Sequence, residues 1–331
     1  MTIDSFRAYR IFSEDGKSAA RLVRMALDEL DPGEVVIRTA CSGVNYKDAL
    51  AVTGAGRVIR RFPCNGGIDM AGVVMSSADP RFRAGDEVIC TSYDMGVSHD
   101  GGFSEVVRVP ADWVVPLPAG LSLYESMCIG TAGYTAALGV VLMEQNGLTP
   151  AAGKVVVTGA TGGVSSLAID MLARKGYHVV AVTGKDGSQD YLRQLGAKEV
   201  LARGSIEWAS PRPMEKALWA GAVDSVGGEQ LSWLIRTMQQ DGVIASIGNA
   251  GGIEFRSTVL PFILRGVRLL GCDSGYTHMP LRRKVWERLA SDLKPVHLRD
   301  IVHDIGFDEL PPVFEMLVRA QVRGRYVVRF A

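Results

Sequence analysis

A glycine-rich turn near the middle of the chain constrains the fold more than any other segment. Residues 154–166 read KVVVTGATGGVSS, in which an apolar run at 155–157 leads through the turn into a helical pattern at 164–175. A strand, a glycine turn and a helix in this order can hold a nucleotide pyrophosphate, because backbone N–H groups at the helix start point at the phosphates. The segment therefore predicts a nucleotide-binding α/β domain.

The turn departs from the strict G-x-G-x-x-G pattern. Its three glycine positions fall on Ala160, Gly162 and Ser165, so only the middle glycine remains. That position is where the backbone approaches the pyrophosphate most closely. Serine at the third position adds a side chain where the helix packs on the strand. We expect a small helix displacement there, or a hydroxyl bonded to nearby backbone.

Strands and helices alternate after the turn, which predicts a parallel, doubly wound sheet. Together with the strand before the turn, six strands can be counted, as in a full dinucleotide-binding fold. The predicted strands after the turn are 178–183, 199–202, 222–226, 242–247 and 267–272, and the predicted helices are 188–195, 229–239 and 258–264.

The region before the turn has a different pattern, with short apolar runs between Gly, Pro and Asp turn signals. Such spacing indicates a barrel or an irregular sheet. The predicted strands are 34–40, 70–75, 87–91, 103–109 and 113–117, with a short helix at 46–53 and a longer one at 124–143. Two helices and a strand after Ser274 are expected to return to this domain. We predict a β-rich domain of residues 1–124 plus 275–331, with the nucleotide domain at 125–274 inserted in it.

Composition excludes several classes of function. Of 331 residues, 47% are hydrophobic and 22% charged, with zero net charge, which argues against nucleic acid or an anionic membrane as a partner. No apolar run reaches the ~18 residues of a membrane span, and the N-terminus lacks a signal-peptide core. Five widely spaced cysteines without a C-x-x-C pair favour free thiols in a reducing cytoplasm.

Motifs along nearly the whole chain resemble the medium-chain dehydrogenase/reductase superfamily: Gly85-Asp86-x-Val88, GGFSE at 101–105 and GTAGYTA at 130–136. Within it, NYKDAL at 45–50, DPRF at 79–82 and PFILR at 261–265 are similar to the acryloyl-CoA reductase group, often labelled quinone oxidoreductases. The resemblance implies a Rossmann-type NADP-binding domain inserted in a GroES-like catalytic domain. It also implies a homodimer, joined through the sheet edge near residues 267–272.

The zinc ligands of related alcohol dehydrogenases are missing. Those enzymes place a cysteine where this chain has Asn45, and a His-Glu pair where it has Ile68-Asp69. Neither an amide nor an isoleucine binds Zn²⁺ as a thiolate or an imidazole does, so we predict no metal. Reduction of a C=C bond conjugated to a carbonyl suits such a site. Hydride adds to the β-carbon, and hydrogen-bond donors can stabilise the enolate oxygen.

The end of the strand at 178–183 indicates the cofactor. An NAD site usually has an acid at the strand tip for the ribose hydroxyl, whereas a basic residue suits the 2′-phosphate of NADPH. This chain has Thr183-Gly184-Lys185, and the resemblance implies that these three and Arg203 hold the 2′-phosphate. Asp186 is the contrary signal, because it could serve as a displaced ribose acid.

The resemblance also supplies the other site residues. Asn45 and Tyr46 are the catalytic candidates. The Tyr46 hydroxyl could donate to the enolate oxygen or supply the α-proton, or Tyr46 could only pack while water gives the proton. Asp48 and Asp69 are expected to be polar supports. The implied cofactor contacts are Tyr46, Thr161, Gly162, Gly163, Val164, Thr183, Gly184, Lys185, Arg203, Asn249, Ile263, Ser274, Gln321 and Arg325.

Basic residues in the loop after the 46–53 helix suggest a phosphate-bearing substrate. Arg57, Arg60 and Arg61 could contact the phosphates of coenzyme A, although a solvated charged loop explains them equally well. The leading hypothesis is an NADPH-dependent reductase of a short 2-enoyl-CoA, most simply acryloyl-CoA to propanoyl-CoA. The alternatives are a quinone, enal or enone reductase, and a catalytically idle nucleotide-binding protein.

Replacing Lys185 by alanine tests the cofactor prediction. The Michaelis constant for NADPH should rise far more than that for NADH, because only NADPH carries the 2′-phosphate that the ammonium group would bind. Steady-state kinetics with both cofactors measures the difference. Equal effects on the two constants would refute the 2′-phosphate assignment.

Overall fold

The computed structural model describes residues 4–330, which form two compact units. One unit contains the described residues up to Thr131, Gly275–Glu287 and the residues from Leu298 onward; the other contains Ala132–Ser274 and Arg288–His297. The predicted fold class is confirmed: a doubly wound parallel sheet is inserted in a β-rich unit. The division differs from the predicted one, because the first crossover follows Thr131 and residues 288–297 belong with the parallel sheet.

The chain before the glycine turn is mostly strand. Its strands are β1 (Phe6–Glu14), β2 (Lys17–Met25), β3 (Val35–Val44), β4 (Cys64–Asn65), β5 (Asp69–Ser77), β6 (Glu87–Thr91), β7 (Val106–Val109) and β8 (Val114–Pro116), and its helices are α1 (Tyr46–Thr53) and α2 (Leu123–Gln145). The β1–β2 hairpin was not predicted. Its turn signal is Asp15-Gly16, where both residues have left-handed backbone angles as a tight hairpin turn requires.

Helix α2 is long and apolar, and it is interrupted at Gly130. It is long and apolar enough to cross a membrane by length and composition, contrary to the expectation from the sequence, but 89% of its most apolar window is buried within the protein. Gly130, with φ 50° and ψ −161°, breaks the helix one residue before the first crossover. Burial of this kind is typical of a core helix.

The parallel sheet follows the predicted pattern. Its elements are β9 (Lys154–Val157), α3 (Gly163–Arg174), β10 (His178–Thr183), α4 (Gln189–Gln194), β11 (Glu199–Ala202), β12 (Trp219–Asp224), α5 (Gly228–Thr237), β13 (Met238–Ser246), α6 (Leu260–Arg265) and β14 (Arg268–Gly271). The strand order is β11-β10-β9-β12-β13-β14. The central strands are almost entirely buried and apolar, because helices cover a parallel sheet on both faces.

The last part of the chain returns to the β-rich unit. Its elements are α7 (Met279–Leu289), α8 (Leu298–Ile301), β15 (Val302–Ile305), α9 (Leu310–Val318) and β16 (Arg325–Arg329). The larger sheet has the order β15-β16-β3-β5-β6-β8, with β7 also pairing with β3, and a smaller sheet has the order β2-β1-β4. Tyr326 of β16 lies opposite Val44 of β3, so the register brings Arg325 next to Asn45.

Helix α1 carries the predicted catalytic tyrosine. Asn45, in extended conformation, precedes it in a capping box with Asp48, and Gly54, with φ 70°, ends it. Ala49 and Val52 are buried in a cluster that α9 and β1 share. One face of α1 is therefore fixed in the core, and Tyr46 is left 45% exposed at its first turn.

Candidate active site

The cofactor-binding candidates in the glycine turn and after strands β10 and β11 lie at the carboxyl edge of the parallel sheet. The connections from neighbouring strands β9 and β12 leave in opposite directions, and this switch point is where such sheets bind nucleotides. Helix α3 begins at Gly163, and its first N–H groups have no acceptor within the helix. A Cβ at Gly162 would meet only the Gly159 carbonyl oxygen, at 3.3 Å. The backbone here is open to a pyrophosphate, as the predicted roles of Thr161, Gly163 and Val164 require.

The four residues predicted to hold a 2′-phosphate come together at one corner of this edge. Thr183 pairs with Ala202 across β10 and β11, so Arg203 follows directly beside it. The Arg203 guanidinium lies against Gly184, where an added Cβ would be 2.8 Å from its Nε atom. The Lys185 N–H donates to Thr183 Oγ1 at 3.1 Å. The Arg203 guanidinium and the main chain of Lys185 thus lie beside a strand tip that ends in a hydroxyl.

The remaining cofactor candidates are divided between the two units. Exposed Asn249 follows β13, half-buried Ser274 follows β14, and Ile263 is 68% exposed on α6. Tyr46, Gln321 and Arg325 belong to the β-rich unit, where Gln321 is exposed after α9 and Arg325 is buried at the start of β16.

Ser165 occupies the third glycine position without disturbing the start of α3. Its hydroxyl donates to the Thr158 carbonyl at 2.8 Å and lies 3.0 Å from the Ser225 hydroxyl. The expectation of a hydroxyl bonded to nearby backbone is met. The Thr158 hydroxyl in turn donates to Asp224 at 2.6 Å, which ties β9 to the end of β12. Burial raises the pKa of Asp224, and its hydrogen bonds oppose that rise.

In the β-rich unit, a buried polar cluster contains Asn45 and Asp69, two positions at which the resemblance implies a different residue in zinc-dependent relatives. The Asp69 carboxylate accepts from the Asn45 amide at 2.9 Å, from the Thr131 N–H at 2.8 Å and from the Thr131 hydroxyl at 2.5 Å. The Arg325 guanidinium lies 3.5 Å from it as an ion pair. Asp69 is fully buried and Arg325 nearly so. We name these residues, together with Asp48, the charge cluster.

The charge cluster changes the interpretation of two predicted site residues. The Asn45 amide is used at both ends, because its Nδ2 donates to Asp69 and its Oδ1 accepts from Arg325 at 3.0 Å. Arg325, predicted to line the cofactor, instead points into the cluster and also donates to the Met127 carbonyl. Burial lowers the pKa of Arg325, and the Asp69 charge opposes this. Neither side chain presents a free donor at the surface.

Asp48 is the second acid of the charge cluster. One carboxylate oxygen accepts the Asn45 N–H at 2.8 Å and the other accepts the Ile68 N–H at 2.9 Å. Burial raises the pKa of Asp48 to about 7, the charge of Asp69 adds to the rise, and the two backbone donors oppose it. The sequence indicated only a polar support at this position.

The charge cluster does not fit a zinc ion. Asn45 is held between Asp69 and Arg325, Ile68 offers no ligand atom, and the guanidinium already neutralises the Asp69 carboxylate. Within residues 4–330, no group of three His, Cys, Asp or Glu side chains comes together as a set of metal ligands. No step of the chemistry below is therefore routed through a metal.

The three arginines predicted to bind a coenzyme A phosphate differ in how available their guanidinium groups are. Arg61 is paired with Asp31 and lies 3.9 Å from Asp100. Arg60 lies 4.0 Å from Asp94 but stays 68% exposed in its side chain. Arg57 is exposed in the same loop. Arg61 is the least available of the three, because its guanidinium already has carboxylate partners.

Sequence reasoning missed the part of Thr131 in this site. Its main-chain and side-chain donors both bind Asp69, and its hydroxyl lies 3.1 Å from that of Ser92. The GTAGYTA motif at 130–136 contains this residue, but the motif served only to identify a family. The glycine before it was the available signal, because a Cβ at Gly130 would collide with both Arg325 and Asp69.

Comparison with known proteins gives a consistent result across the whole chain. The family model for the alcohol dehydrogenase GroES-like domain matches residues 31–119, and the model for zinc-binding dehydrogenases matches residues 163–292. The acrylyl-CoA reductase AcuI of Ruegeria pomeroyi is 44% identical over 95% of this chain and 96% of its own. YhfP of Bacillus subtilis, whose name assigns it provisionally to the quinone oxidoreductases, is 50% identical over 92% of this chain and 93% of its own.

Solved structures agree with this result. The yhdH oxidoreductase of Salmonella enterica, in complex with NADP, has a TM-score of 0.95 and 44% identity, covering 98% of this chain and 100% of its own. Bacillus subtilis yhfP, solved with NAD bound, has a TM-score of 0.96 and 48% identity, covering 98% of this chain and 99% of its own. The relatives thus include both an NADP complex and an NAD complex.

Replacing Ser165 by glycine tests the serine in the turn. The affinity for NADPH should change less than about twofold, because the Ser225 hydroxyl still donates to the Thr158 carbonyl at 3.1 Å. Fluorescence titration with NADPH measures this affinity. Ser166→Gly, one residue further along α3, is the matched control for glycine in the helix. A tenfold gain or loss in Ser165→Gly alone would contradict the prediction.

Proposed function

Because the chain belongs to the medium-chain dehydrogenase/reductase family, we propose that it is an NADPH-dependent reductase of a short 2-enoyl-CoA. The reaction would convert acryloyl-CoA to propanoyl-CoA. The observation that carries the proposal is the strand tip at Thr183, where Lys185 and Arg203 replace a ribose-binding acid. The 44% identity to an acrylyl-CoA reductase, over nearly the full length of both chains, supports the choice of substrate.

The residues present fit such a cofactor. The open backbone at Gly162 and the first turn of α3 would hold the pyrophosphate, and Thr183, Gly184, Lys185 and Arg203 would hold the 2′-phosphate. When bound, NADPH supplies the hydride that adds to the β-carbon of the enoyl thioester. We keep Asn249, Ile263, Ser274 and Gln321 as further cofactor contacts, and place Arg325 outside direct contact.

Tyr46 is the group that we assign to the substrate. Of the two catalytic candidates it is the exposed one, whereas the Asn45 amide has both ends bonded inside the charge cluster. The Tyr46 phenol would donate to the thioester oxygen as negative charge develops there. The α-carbon then takes a proton, either from this hydroxyl or from water, which completes the reduction. Asn45 would act by holding the backbone next to Tyr46.

The coenzyme A phosphates need cationic partners on the surface. Arg57 and Arg60 are exposed in the loop after α1, and we propose them as the phosphate contacts. Arg61 contributes less, because it is paired with Asp31.

A quinone or enone reductase is the second candidate function. The name of the YhfP relative favours it, and such a substrate would need no phosphate contact at Arg57 or Arg60. The NAD bound to the solved yhfP is the observation against a strict NADPH preference. An idle nucleotide-binding protein is the third alternative, and the exposed Tyr46 argues against it.

One assay separates these candidates. Acryloyl-CoA, crotonyl-CoA and 1,4-benzoquinone are compared at equal concentration, each with NADPH and with NADH, by following loss of the nicotinamide absorbance. We expect the largest kcat/KM for acryloyl-CoA with NADPH. Turnover of benzoquinone without turnover of acryloyl-CoA would refute the leading function, and no turnover of any substrate would support the idle protein.

We also propose that the protein is a cytoplasmic homodimer joined along β14. This strand is at the edge of the parallel sheet, with β13 on one side and, in the described chain, no strand on the other. Several large apolar side chains that precede this strand in sequence are more than 40% exposed, among them Ile253, Phe255, Val259 and Leu264. An exposed edge with such a patch usually has a partner. The five free cysteines suit a reducing compartment.

A charge on this patch tests the dimer. Val259→Glu should shift the mass measured by sedimentation velocity from two chains to one, because a carboxylate is costly to bury at an apolar interface. Val296→Glu is the matched control, since Val296 is comparably exposed but lies away from this edge in sequence. A dimer that survives Val259→Glu, or one that both variants disrupt equally, would contradict the proposed interface.

A further inference from the structure

We propose that Asp48 is a positioning residue for Tyr46, holding the phenol where the thioester oxygen is bound. The inference rests on the proposed function, because it assigns a part in that reaction to a residue that touches neither substrate nor cofactor. The observation behind it is that one buried carboxylate bonds two separate backbone segments beside Tyr46.

The two bonds of Asp48 join the segments that border the candidate site. The Asn45 N–H belongs to the end of β3, directly before Tyr46, and the Ile68 N–H belongs to the residue before Asp69 and β5. Asp48 itself is 1% exposed. Its side chain therefore links the residue before α1 to the residue before β5.

Tyr46 is confined by what stands on both sides of it. The residue before it, Asn45, is fixed through its main chain by Asp48 and through its amide by Asp69 and Arg325. The residues after it continue α1 into the apolar cluster around Ala49. These contacts fix the main chain from which the Tyr46 side chain projects. Small displacements of a reacting group can change rates by large factors, so this confinement bears on kcat.

A simple helix cap does not account for Asp48. Other helical turns in the described chain also have a first-turn carboxylate that bonds the cap residue, but these carboxylates are exposed or half-buried. The pairs are Glu29 with Ala26, Glu125 with Ser122, and Glu309 with Gly306. Asp48 is buried and uses its second oxygen for a residue 20 positions away. That second bond lies outside the helix, and it connects the start of α1 to the segment before β5.

A double-mutant cycle tests the inference. Tyr46→Phe and Asp48→Asn should each lower kcat by about tenfold or more, since one removes the donor and the other its alignment. In the Tyr46→Phe background, Asp48→Asn should cost less than about twofold further, because residues that act through one another are not additive. The NADPH dissociation constant, measured by fluorescence, should stay within about twofold of wild type. Fully additive losses would overturn the proposal.

Matched variants separate positioning from folding. Glu125→Gln makes the same carboxylate-to-amide change in the capping pair of α2 and should leave kcat unchanged. Should Asp48→Asn fail to fold, Asp48→Ser keeps an acceptor for the Asn45 N–H but cannot reach Ile68, and the cycle is repeated with it. A loss of kcat matched by an equal loss of NADPH affinity in a folded variant would show a general structural role and overturn the proposal.

Failure of the positioning proposal and failure of the proposed function give different outcomes in the double-mutant cycle. It is run with whichever of acryloyl-CoA, crotonyl-CoA and benzoquinone the wild type reduces best. If acryloyl-CoA is not reduced but another substrate is, the proposed substrate fails and non-additivity at Tyr46 and Asp48 still supports the positioning role. If Tyr46→Phe has wild-type kcat with every substrate, the positioning proposal is refuted.

Discussion

The buried pair of Asp69 and Arg325 is the interaction on which the candidate catalytic site depends. Taking two charges out of water is costly unless hydrogen bonds satisfy their remaining capacity. Here the Asn45 amide and both donors of Thr131 complete the shell of the carboxylate. The cluster thereby ties β3, β5, the start of the first crossover and the last strand of the chain to one point. Gly43 provides the space for the Arg325 guanidinium, because a Cβ at Gly43 would lie 2.5 Å from it.

This arrangement holds together the segments from which the candidate site is built. In a zinc enzyme the ion joins the segments that its ligands come from, whereas here an internal cation and two carboxylates join the corresponding segments. The cluster bonds the Asn45 amide at both ends and buries the Arg325 guanidinium, so neither side chain is exposed to a substrate oxygen. In the proposed reaction the exposed Tyr46 would therefore be the donor to the substrate oxygen, and reduction of a conjugated C=C bond suits a single neutral donor.

Local patterns predicted the elements well where each element carries its own signal. Helix α1 and strands β6, β10 and β11 have the predicted bounds, and a Gly, Asp or Asn lies within three residues of each of their ends. The β1–β2 hairpin was not predicted, although Asp15-Gly16 marks its turn. The carboxylate partners of Arg61 and Arg325 could not be read from the sequence. Arg61 and Arg325 read as available cations, and their carboxylate partners are distant in sequence.

The sequence by itself determined the parallel sheet, the inserted arrangement and the presence of basic residues after the two strands that follow the glycine turn. These follow from periodicity and from the rule that parallel strands end at one edge. Only the tertiary structure decided that Asn45, Asp48, Asp69 and Arg325 form one cluster and that Tyr46 stays exposed. Strand register brings together residues separated by as many as 280 positions, and no local pattern encodes which buried donor meets which acceptor.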